Sequence, residues 1–299
     1  MTNIVTTDGF DLSALASEMG AKADTKKAGI LPVLKNNRRL KDKDKKSLPM
    51  GAFYLSGVDG PEAYVASEAG KPTVKFRPLS HHFQYNHYDA DEEKFISWSR
   101  QIANFSEEAR STNGLLRCGK PNGQGMSQLS KEEKAKWRAV KNTRLIRGLV
   151  SYEGTTVDGD KIVYDNEPCL VKLTGQNNFA STPKGIYARF DSQFRDIIPH
   201  GYEMWNYELD VTSEDHASDD GSIFWYTMEW GFNPKEPLAV TQEIYDSIVA
   251  VAEMIRTENA EVDALYSKAL MDRAGMEQPG VQEALAALGD DLEADFEAA

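Results

Sequence analysis

The chain has 299 residues, of which 40% are hydrophobic and 27% charged, and its formal net charge is −13. This composition is typical of a folded protein, and the length is sufficient for one large domain or two ordinary ones. The apolar runs are far shorter than a membrane span, and the N-terminus lacks a basic-then-apolar signal pattern. Two cysteines, Cys118 and Cys169, do not form a disulfide framework and favour a reducing cytoplasm.

The charge is divided unevenly between the two halves of the chain. Residues 1–150 contain 25 Lys and Arg against 17 Asp and Glu, a net charge of +8. Residues 151–299 contain 9 Lys and Arg against 30 Asp and Glu, a net charge of −21. Such asymmetry is a recognised indication of a nucleic-acid surface joined to an acidic region.

Three regions follow from the pattern along the chain. Residues 1–28 contain a short amphipathic helix, 10–20, on a polar tether, and form either a docking arm or a helix folded onto the body. Residues 29–275 carry most of the strand patterns and form the predicted core. Residues 276–299 form an acidic tail after Pro279 and Gly280.

A basic loop is predicted between two strands near the start of the core, ILPVLK and MGAFYLS. From Lys35 to Lys46 it has a net charge of +5 in 12 residues. A charged, solvated hairpin tip would explain this loop, but phosphate binding explains it better in so acidic a chain. Its seven cations are Lys35, Arg38, Arg39, Lys41, Lys43, Lys45 and Lys46.

The stretch Thr73–Tyr88, TVKFRPLSHHFQYNHY, predicts a strand that combines cations with aromatic rings. Its alternation places Lys75 and Arg77 on one face, and that face continues through Phe83 and Tyr85 if the register survives Pro78. Cations for phosphates and rings for unpaired bases are what single-stranded nucleic acid requires, and we expect Phe83, Tyr85 and Tyr88 to stack on bases. The alternative is that Pro78 resets the register and that Phe83 and Tyr85 are core residues.

Residues 130–142 predict a helix, because Ser130 and Glu133 form a capping box at its start. The region from Lys131 to Arg147 adds positive charge, and we expect it to hold phosphates. The candidate residues in it are Lys134, Arg138, Lys141 and Arg144.

The remainder of the core is predicted to be mainly β. Strands are expected at 143–154, 161–164, 169–175, 202–211 and 222–232, followed by a long helix over 240–272. The predicted fold class is mainly β with α: an OB-fold-like barrel with insertions, a long C-terminal helix and an acidic tail.

The tail contains seven acidic residues and no cation between Met276 and Ala299. Its apolar residues Val281, Leu285, Leu288, Leu292 and Phe296 recur at helical spacing. This pattern predicts an amphipathic segment that folds on a partner, with Asp290, Asp291, Leu292, Asp295 and Phe296 as the binding residues.

Catalytic motifs are scarce. The chain has no GxxxxGK[ST], GxGxxG, GxSxG or HExxH sequence, and we expect no enzyme activity. An acidic cluster, Glu214, Asp215, Asp219 and Asp220, could hold Mg²⁺ for a nuclease, but it is expected in a loop where solvated acids are ordinary. A zinc site built from His81, His82, His87 and Cys118 would lack a CxxC pair, so no cofactor is predicted.

Together, the ALASEM helix, the basic and aromatic β body, the C-terminal helix and the tail with DDLEADF resemble bacteriophage single-stranded DNA-binding proteins of the T4-type helix-destabilising kind. The resemblance implies an OB-fold core, cooperative coating of single strands, and a tail that recruits replication and recombination proteins. The chain lacks the His-and-three-Cys zinc set of that family.

The predicted function is sequence-independent binding of single-stranded DNA in replication, recombination or repair, in the cytoplasm of an infected bacterium. The predicted partners are single-stranded DNA, replication or recombination proteins, and further copies of the chain along the DNA. Two alternatives remain open, a virion or assembly protein and a metal-dependent DNA-processing enzyme.

Overall fold

The structure is a computed structural model. It describes residues 31–37, 48–58, 62–66, 71–89, 92, 94–104, 108–121, 125–182, 185–218 and 224–274. All of the elements below belong to one compact unit that begins at Pro32. The predicted arm 1–28, the basic loop from Arg38 to Lys46 and the tail 276–299 lie outside the described residues. In the described part, no helix is long and apolar enough to cross a membrane.

The described residues contain one nine-stranded sheet and a separate two-stranded hairpin. The sheet strands are β1 Val33–Asn36, β2 Phe53–Ser56, β3 Tyr64–Val65, β4 Thr73–Asp89, β5 Lys94–Trp98, β6 Val140–Thr155, β7 Lys161–Leu173, β10 Leu209–Ala217 and β11 Phe224–Gly231. The hairpin strands are β8 Phe179–Thr182 and β9 Gly185–Ala188.

The sheet curls into a partial ring. Its order is β11-β10-β4-β6-β3-β2-β1-β7, with β5 beside β4, and β7 also pairs with β6. The five strands β6, β3, β2, β1 and β7 therefore follow one another around a ring. Its closure is incomplete, because β3 and β6 share only the pair Tyr64 and Thr155. The pairing of β1 with β7 is parallel, and the other pairings of the ring are antiparallel.

A β-bulge in the middle of β4 changes which side chains are buried. The pairing of β4 with β6 shifts between Pro78 and Ser80. Val74, Phe76 and Pro78 are buried before the shift, whereas Leu79 and the odd-numbered positions to Tyr85 are buried after it. One extra residue in a strand reverses the faces of all that follow. The alternative that Pro78 resets the register is confirmed.

Three helices are described: α1 Lys131–Ala139, α2 Arg189–Gln193 and α3 Gln242–Ala274. The predicted capping box of α1 is confirmed, since the Ser130 hydroxyl accepts from the Glu133 amide and the Glu133 carboxylate accepts from the Ser130 amide. Short 3₁₀ turns occur at Arg117–Gly119, Met126–Gln128, Gly175–Asn177, Arg195–Ile197 and Met204–Asn206.

The predicted long helix, α3, packs on the sheet. Ile244, Val251 and Ile255 of α3 form a buried cluster with Leu79 of β4 and Leu149 of β6. A second contact is polar, because Arg147 of β6 lies 2.7 Å from a carboxylate oxygen of Glu258. The helix is therefore fixed to the bulged part of β4 and the strand beside it.

Several predicted boundaries were wrong. Residues 161–164 and 169–175 belong largely to one strand, β7, and the predicted strand 202–211 begins only at Leu209. After β5, the chain makes isolated bridges at Ser99 and Ile102. The fold is a mixed α/β, strand-rich sheet with a partial five-strand ring and a long C-terminal helix.

Candidate nucleic-acid interface

The predicted cations of β4 lie away from its aromatic half. Lys75 is 2.7 Å from a carboxylate oxygen of Asp210 in the neighbouring strand β10. Arg77 donates to the backbone carbonyls of Trp205 and Ala239. A strand rises about 3.3 Å per residue, so Arg77 and Tyr85 are roughly 25 Å apart along β4. The prediction that Lys75 and Arg77 share one surface with the rings was wrong.

Phe83 and Tyr85 are core residues. They are 4% and 3% exposed and belong to a cluster with Ile102, Cys118 and Val140. The prediction that they present open faces to bases was wrong, because the bulge at Pro78 turns odd-numbered positions inward.

Arg144 is also buried, against the prediction that it holds phosphate. Its guanidinium is 1% exposed and forms a two-fold ion pair with Asp191 at 2.6 and 2.7 Å. It also donates to Asn178 and lies 2.6 Å from His81 Nε2. Burial, followed by the charges of Arg144 and Arg195, lowers the pKa of His81 to about 2. The neutral His81 ring and the buried Arg144–Asp191 ion pair link β4, β6 and α2.

A pocket of about 520 Å³ lies where β4, β6, α1 and the end of β7 meet, and it is called here the basic pocket. Its cations are Arg117, Lys120, Arg138 and Lys141. Of the described residues that line it, none is Asp or Glu. The other lining residues are Tyr85, Pro121, Trp137, Val140, Asn142, Thr174, Gly175 and Phe179.

Local structure explains why the cations of the basic pocket lie together. Arg138 is in the last turn of α1, and Lys141 follows at the start of β6. Arg117 and Lys120 come from the 3₁₀ turn Arg117–Gly119, which rests on β4 and β5. Four cations that line one concave surface raise the local concentration of anions, so the basic pocket is suited to binding phosphates.

Lys120 is a half-buried cation of the basic pocket. Its ammonium donates to the backbone carbonyl of Val140 at 3.2 Å and lies 3.7 Å from the Trp137 ring centroid. Burial, followed by the charges of Lys141 and Arg117, lowers the pKa of Lys120 to about 8. At pH 7 roughly a tenth of such a group is neutral, a far larger fraction than for an exposed lysine.

A second groove of about 390 Å³ continues from the basic pocket and shares Arg138 and Lys141 with it. It is lined as well by His87, Tyr88, Asp89 and Ala139. The Tyr88 ring contacts Phe95 of β5 at 5.2 Å between centroids, and Phe95 is 59% exposed. Of the three predicted stacking residues, Tyr88 lines the second groove and contacts an exposed ring, whereas Tyr85 borders the basic pocket but is only 3% exposed.

The predicted basic loop begins at the same edge of the ring as the basic pocket. β1 runs parallel to β7, with Val33 beside Leu170 and Leu34 beside Val171. The C-terminal ends of both strands therefore share an edge. Thr174, directly after β7, lines the basic pocket. Lys35 near the end of β1 is exposed and donates to Ser56 at 3.1 Å, outside the pocket lining.

Other predicted residues do not join the interface or cannot be placed. Lys134 is half-buried on α1 but lines neither groove. The remaining loop cations and the tail residues lie outside the described part. Those are Arg38, Arg39, Lys41, Lys43, Lys45, Lys46, Asp290, Asp291, Leu292, Asp295 and Phe296.

The residues considered for metal binding form no ligand cluster among the described residues. Among the described residues, no group of three or more His, Cys, Asp or Glu is arranged to hold an ion. Glu214 and Asp215 belong to strand β10 rather than to a loop, and Glu214 pairs with Lys71. Cys118 is buried, and its thiol donates to the Tyr85 carbonyl at 3.4 Å. Asp219 and Asp220 lie outside the described residues.

Sequence reasoning missed five residues of the interface: Arg117, Lys120, Trp137, Phe179 and Phe95. Trp137 and the sequence LLRCGK were visible as an aromatic residue and cations within the basic half. Trp137 and these cations lie close together only because β4 pairs with β6, which brings Tyr85 beside Asn142. No local sequence signal predicts that pairing.

Comparison with known proteins adds no relative. No family model matches the chain, and no curated protein or solved structure matches it significantly.

Proposed function

We propose that the chain binds single-stranded DNA without sequence preference, and that the strand runs through the basic pocket and the second groove. The observation that carries the proposal is the lining of the basic pocket, four cations and three aromatic residues without a described carboxylate. Single-stranded DNA is bound by cations that follow the phosphates and by rings that stack on bases.

The arrangement of the two grooves supports a continuous path. Arg138 and Lys141 line both grooves, so one backbone can contact these cations while passing from one groove to the other. Tyr88 and Phe95 would then stack on bases at one end, each contributing roughly 1–3 kcal/mol per base. Phe179 would contact the strand at the other end.

The basic loop and the acidic tail take part at either side of this path. The loop Lys35–Lys46 begins at the C-terminal end of β1, which lies beside that of β7, and its cations would hold further phosphates of the bound strand. The tail begins after α3, whose Arg273 donates to the carbonyls of Asn113 and Gly114, in the segment that supplies Arg117 and Lys120. Its carboxylates would compete for the grooves in the absence of DNA and recruit partner proteins when DNA fills them.

We propose that the five-strand ring serves as the barrel of an elaborated OB-like core. Its strand number and partial closure support this, although its strands follow chain order rather than a Greek key. The setting would be phage-type replication, recombination or repair in the host cytoplasm, with self-association along DNA.

A titration of the full chain with a dT oligomer, followed by Trp and Tyr fluorescence, tests the site. The double variant Arg138→Gln, Lys141→Gln should weaken binding at least about ten-fold at low salt, because two charge-assisted phosphate contacts are lost. A matched control, Lys75→Gln with Lys161→Gln, removes two exposed cations that already pair with carboxylates. Equal loss in both double variants, or no binding by the parent chain, would contradict the proposal.

A further inference from the structure

Lys120 differs chemically from the other cations of the basic pocket. Its side chain is half-buried, and its nitrogen lies 3.7 Å from the centroid of Trp137 and 5.6 Å from that of Tyr85. The carbonyl of Val140 accepts its hydrogen bond. No ion pair with a described carboxylate holds it.

The cations that surround Lys120 favour its neutral amine, whereas the Val140 carbonyl and the Trp137 ring favour the ammonium. Arg117 on its own turn, Arg138 on α1 and Lys141 on β6 are cations, and Tyr85 of β4 is a buried phenol. Burial, Lys141 and Arg117 lower its pKa to about 8. A neutral amine in an aromatic pocket is a nucleophile, and carbonyl groups are its usual targets.

We propose that Lys120 condenses with phosphate-bearing aldehydes that enter the basic pocket. The phosphate-bearing aldehyde that fits the pocket best is an abasic nucleotide in single-stranded DNA. This identification of the aldehyde rests on the proposed function. An abasic nucleotide keeps its phosphates, which Arg138 and Lys141 would contact. It has no base, so its open-chain sugar presents an aldehyde carbon.

The condensation requires only the Lys120 amine and the aldehyde. The lone pair of Lys120 Nζ attacks the aldehyde carbon and forms a C–N bond while the C=O π pair moves to oxygen. The oxygen then leaves as water with the two protons of the amine, and a C=N bond remains. Added borohydride transfers a hydride to this carbon, water protonates the nitrogen, and the adduct becomes a stable secondary amine.

The first experiment uses the full chain with pyridoxal 5′-phosphate, a free phosphate-bearing aldehyde, and borohydride at pH 7.5. Peptide mass mapping should find Lys120 labelled at least about ten-fold above the average lysine, because its neutral fraction there is far larger than at the ordinary pKa of about 10.4. The labelling rate should rise with pH and level off above about 8. Labelling spread evenly over exposed lysines would overturn the proposal, and this result needs no variant.

The second experiment replaces the free aldehyde by an oligonucleotide with one abasic site. Borohydride should produce one covalent complex, and Lys120→Arg should reduce it at least about ten-fold, since guanidinium is not a nucleophile at this pH. Lys235→Arg, at an exposed turn, should leave it unchanged. A complex of equal yield in Lys120→Arg, or one mapped to another residue, would overturn the proposal.

The two experiments separate this inference from the proposed function. If intact dT oligomer does not bind while pyridoxal phosphate still labels Lys120, the proposal of a reactive amine stands. The proposal that its aldehyde partner is an abasic site in DNA is then overturned. If dT oligomer binds but neither aldehyde labels Lys120, the proposed function stands and the reactive amine is overturned.

Discussion

Arg144 is stabilised in the interior by a set of partners that occupies most of its donors. Asp191 takes two of its N–H groups, Asn178 a third, and His81 lies at hydrogen-bond distance, while the guanidinium lies 4.8 Å from the Phe83 ring centroid. A buried ion pair of this kind adds little net stability, but removing one partner leaves a buried charge unpaired. The network is therefore a structural joint between β6 and α2.

Asp191→Ala should lower the free energy of unfolding by about 3–5 kcal/mol, because it leaves the Arg144 charge buried without a carboxylate. Urea denaturation measures the change. Asp196→Ala is the matched control: its carboxylate is 61% exposed, and the loss should stay below about 0.5 kcal/mol. An Asp191→Ala variant as stable as the control would show that the pair is not buried.

His81 should make stability depend on pH. Its pKa is about 2 in the folded chain against an ordinary value of 6.5, so the unfolded chain binds the extra proton between these values. The free energy of unfolding should therefore decrease as pH falls below 6.5, by up to about 1.4 kcal/mol per pH unit. His81→Gln should show a shallower decrease from pH 6.5 to 5. Parallel curves for the two proteins would contradict this assignment.

The bulged strand β4 organises the elements around it. Before Pro78 it pairs with β10 and β6, and after Pro78 its buried side chains reverse. At the bulge, Gly148 of β6 approaches so closely that a Cβ would lie 2.4 Å from the Arg77 carbonyl oxygen and 2.5 Å from the Phe76 ring. The absence of a side chain at Gly148 lets the two strands pair through the bulge.

Gly148→Ala should destabilise the chain by at least about 1–3 kcal/mol, because the methyl group overlaps backbone and ring atoms. Gly231→Ala is the control in another strand, where the nearest atom is 3.5 Å from the added carbon. Thermal unfolding should show a clear decrease for the first variant and little change for the second. Equal melting temperatures would contradict the close approach.

The elements that sequence predicts best are those with local signals. The capping box at Ser130, the periodic stripe of α3 and the strand sequences of β6 and β11 needed only nearby residues. The bulge at Pro78 was visible as an alternative, yet which register forms depends on the partner strand β6. The basic pocket was predictable as charge in one half of the chain, but its lining was not, since it depends on long-range pairing.

At the scale of the whole molecule, the proposed function uses the uneven distribution of charge to regulate DNA binding. The described grooves are cationic, whereas residues 276–299 carry seven acids and no cation. In the proposed function these two surfaces attract each other, and DNA displaces the tail by offering a denser line of charge.

Deletion of residues 276–299 should leave the affinity for a dT oligomer equal or raise it, because a competitor of the grooves is removed. Fluorescence titration of full-length and truncated chains at the same salt concentration measures this. The effect should shrink at high salt, where both interactions are screened. A large loss of affinity on truncation would contradict competition by the tail.

The most direct test of the central claim is the salt dependence of binding of the full chain to a dT oligomer. For single strands, the logarithm of the binding constant falls with the logarithm of salt by about 0.7 per phosphate contact. Four cations in the basic pocket predict a slope steeper than about −2, reduced by about 1.4 in the Arg138→Gln, Lys141→Gln variant. No binding at low salt, or a slope unchanged in that variant, would contradict the claim that these grooves hold the strand.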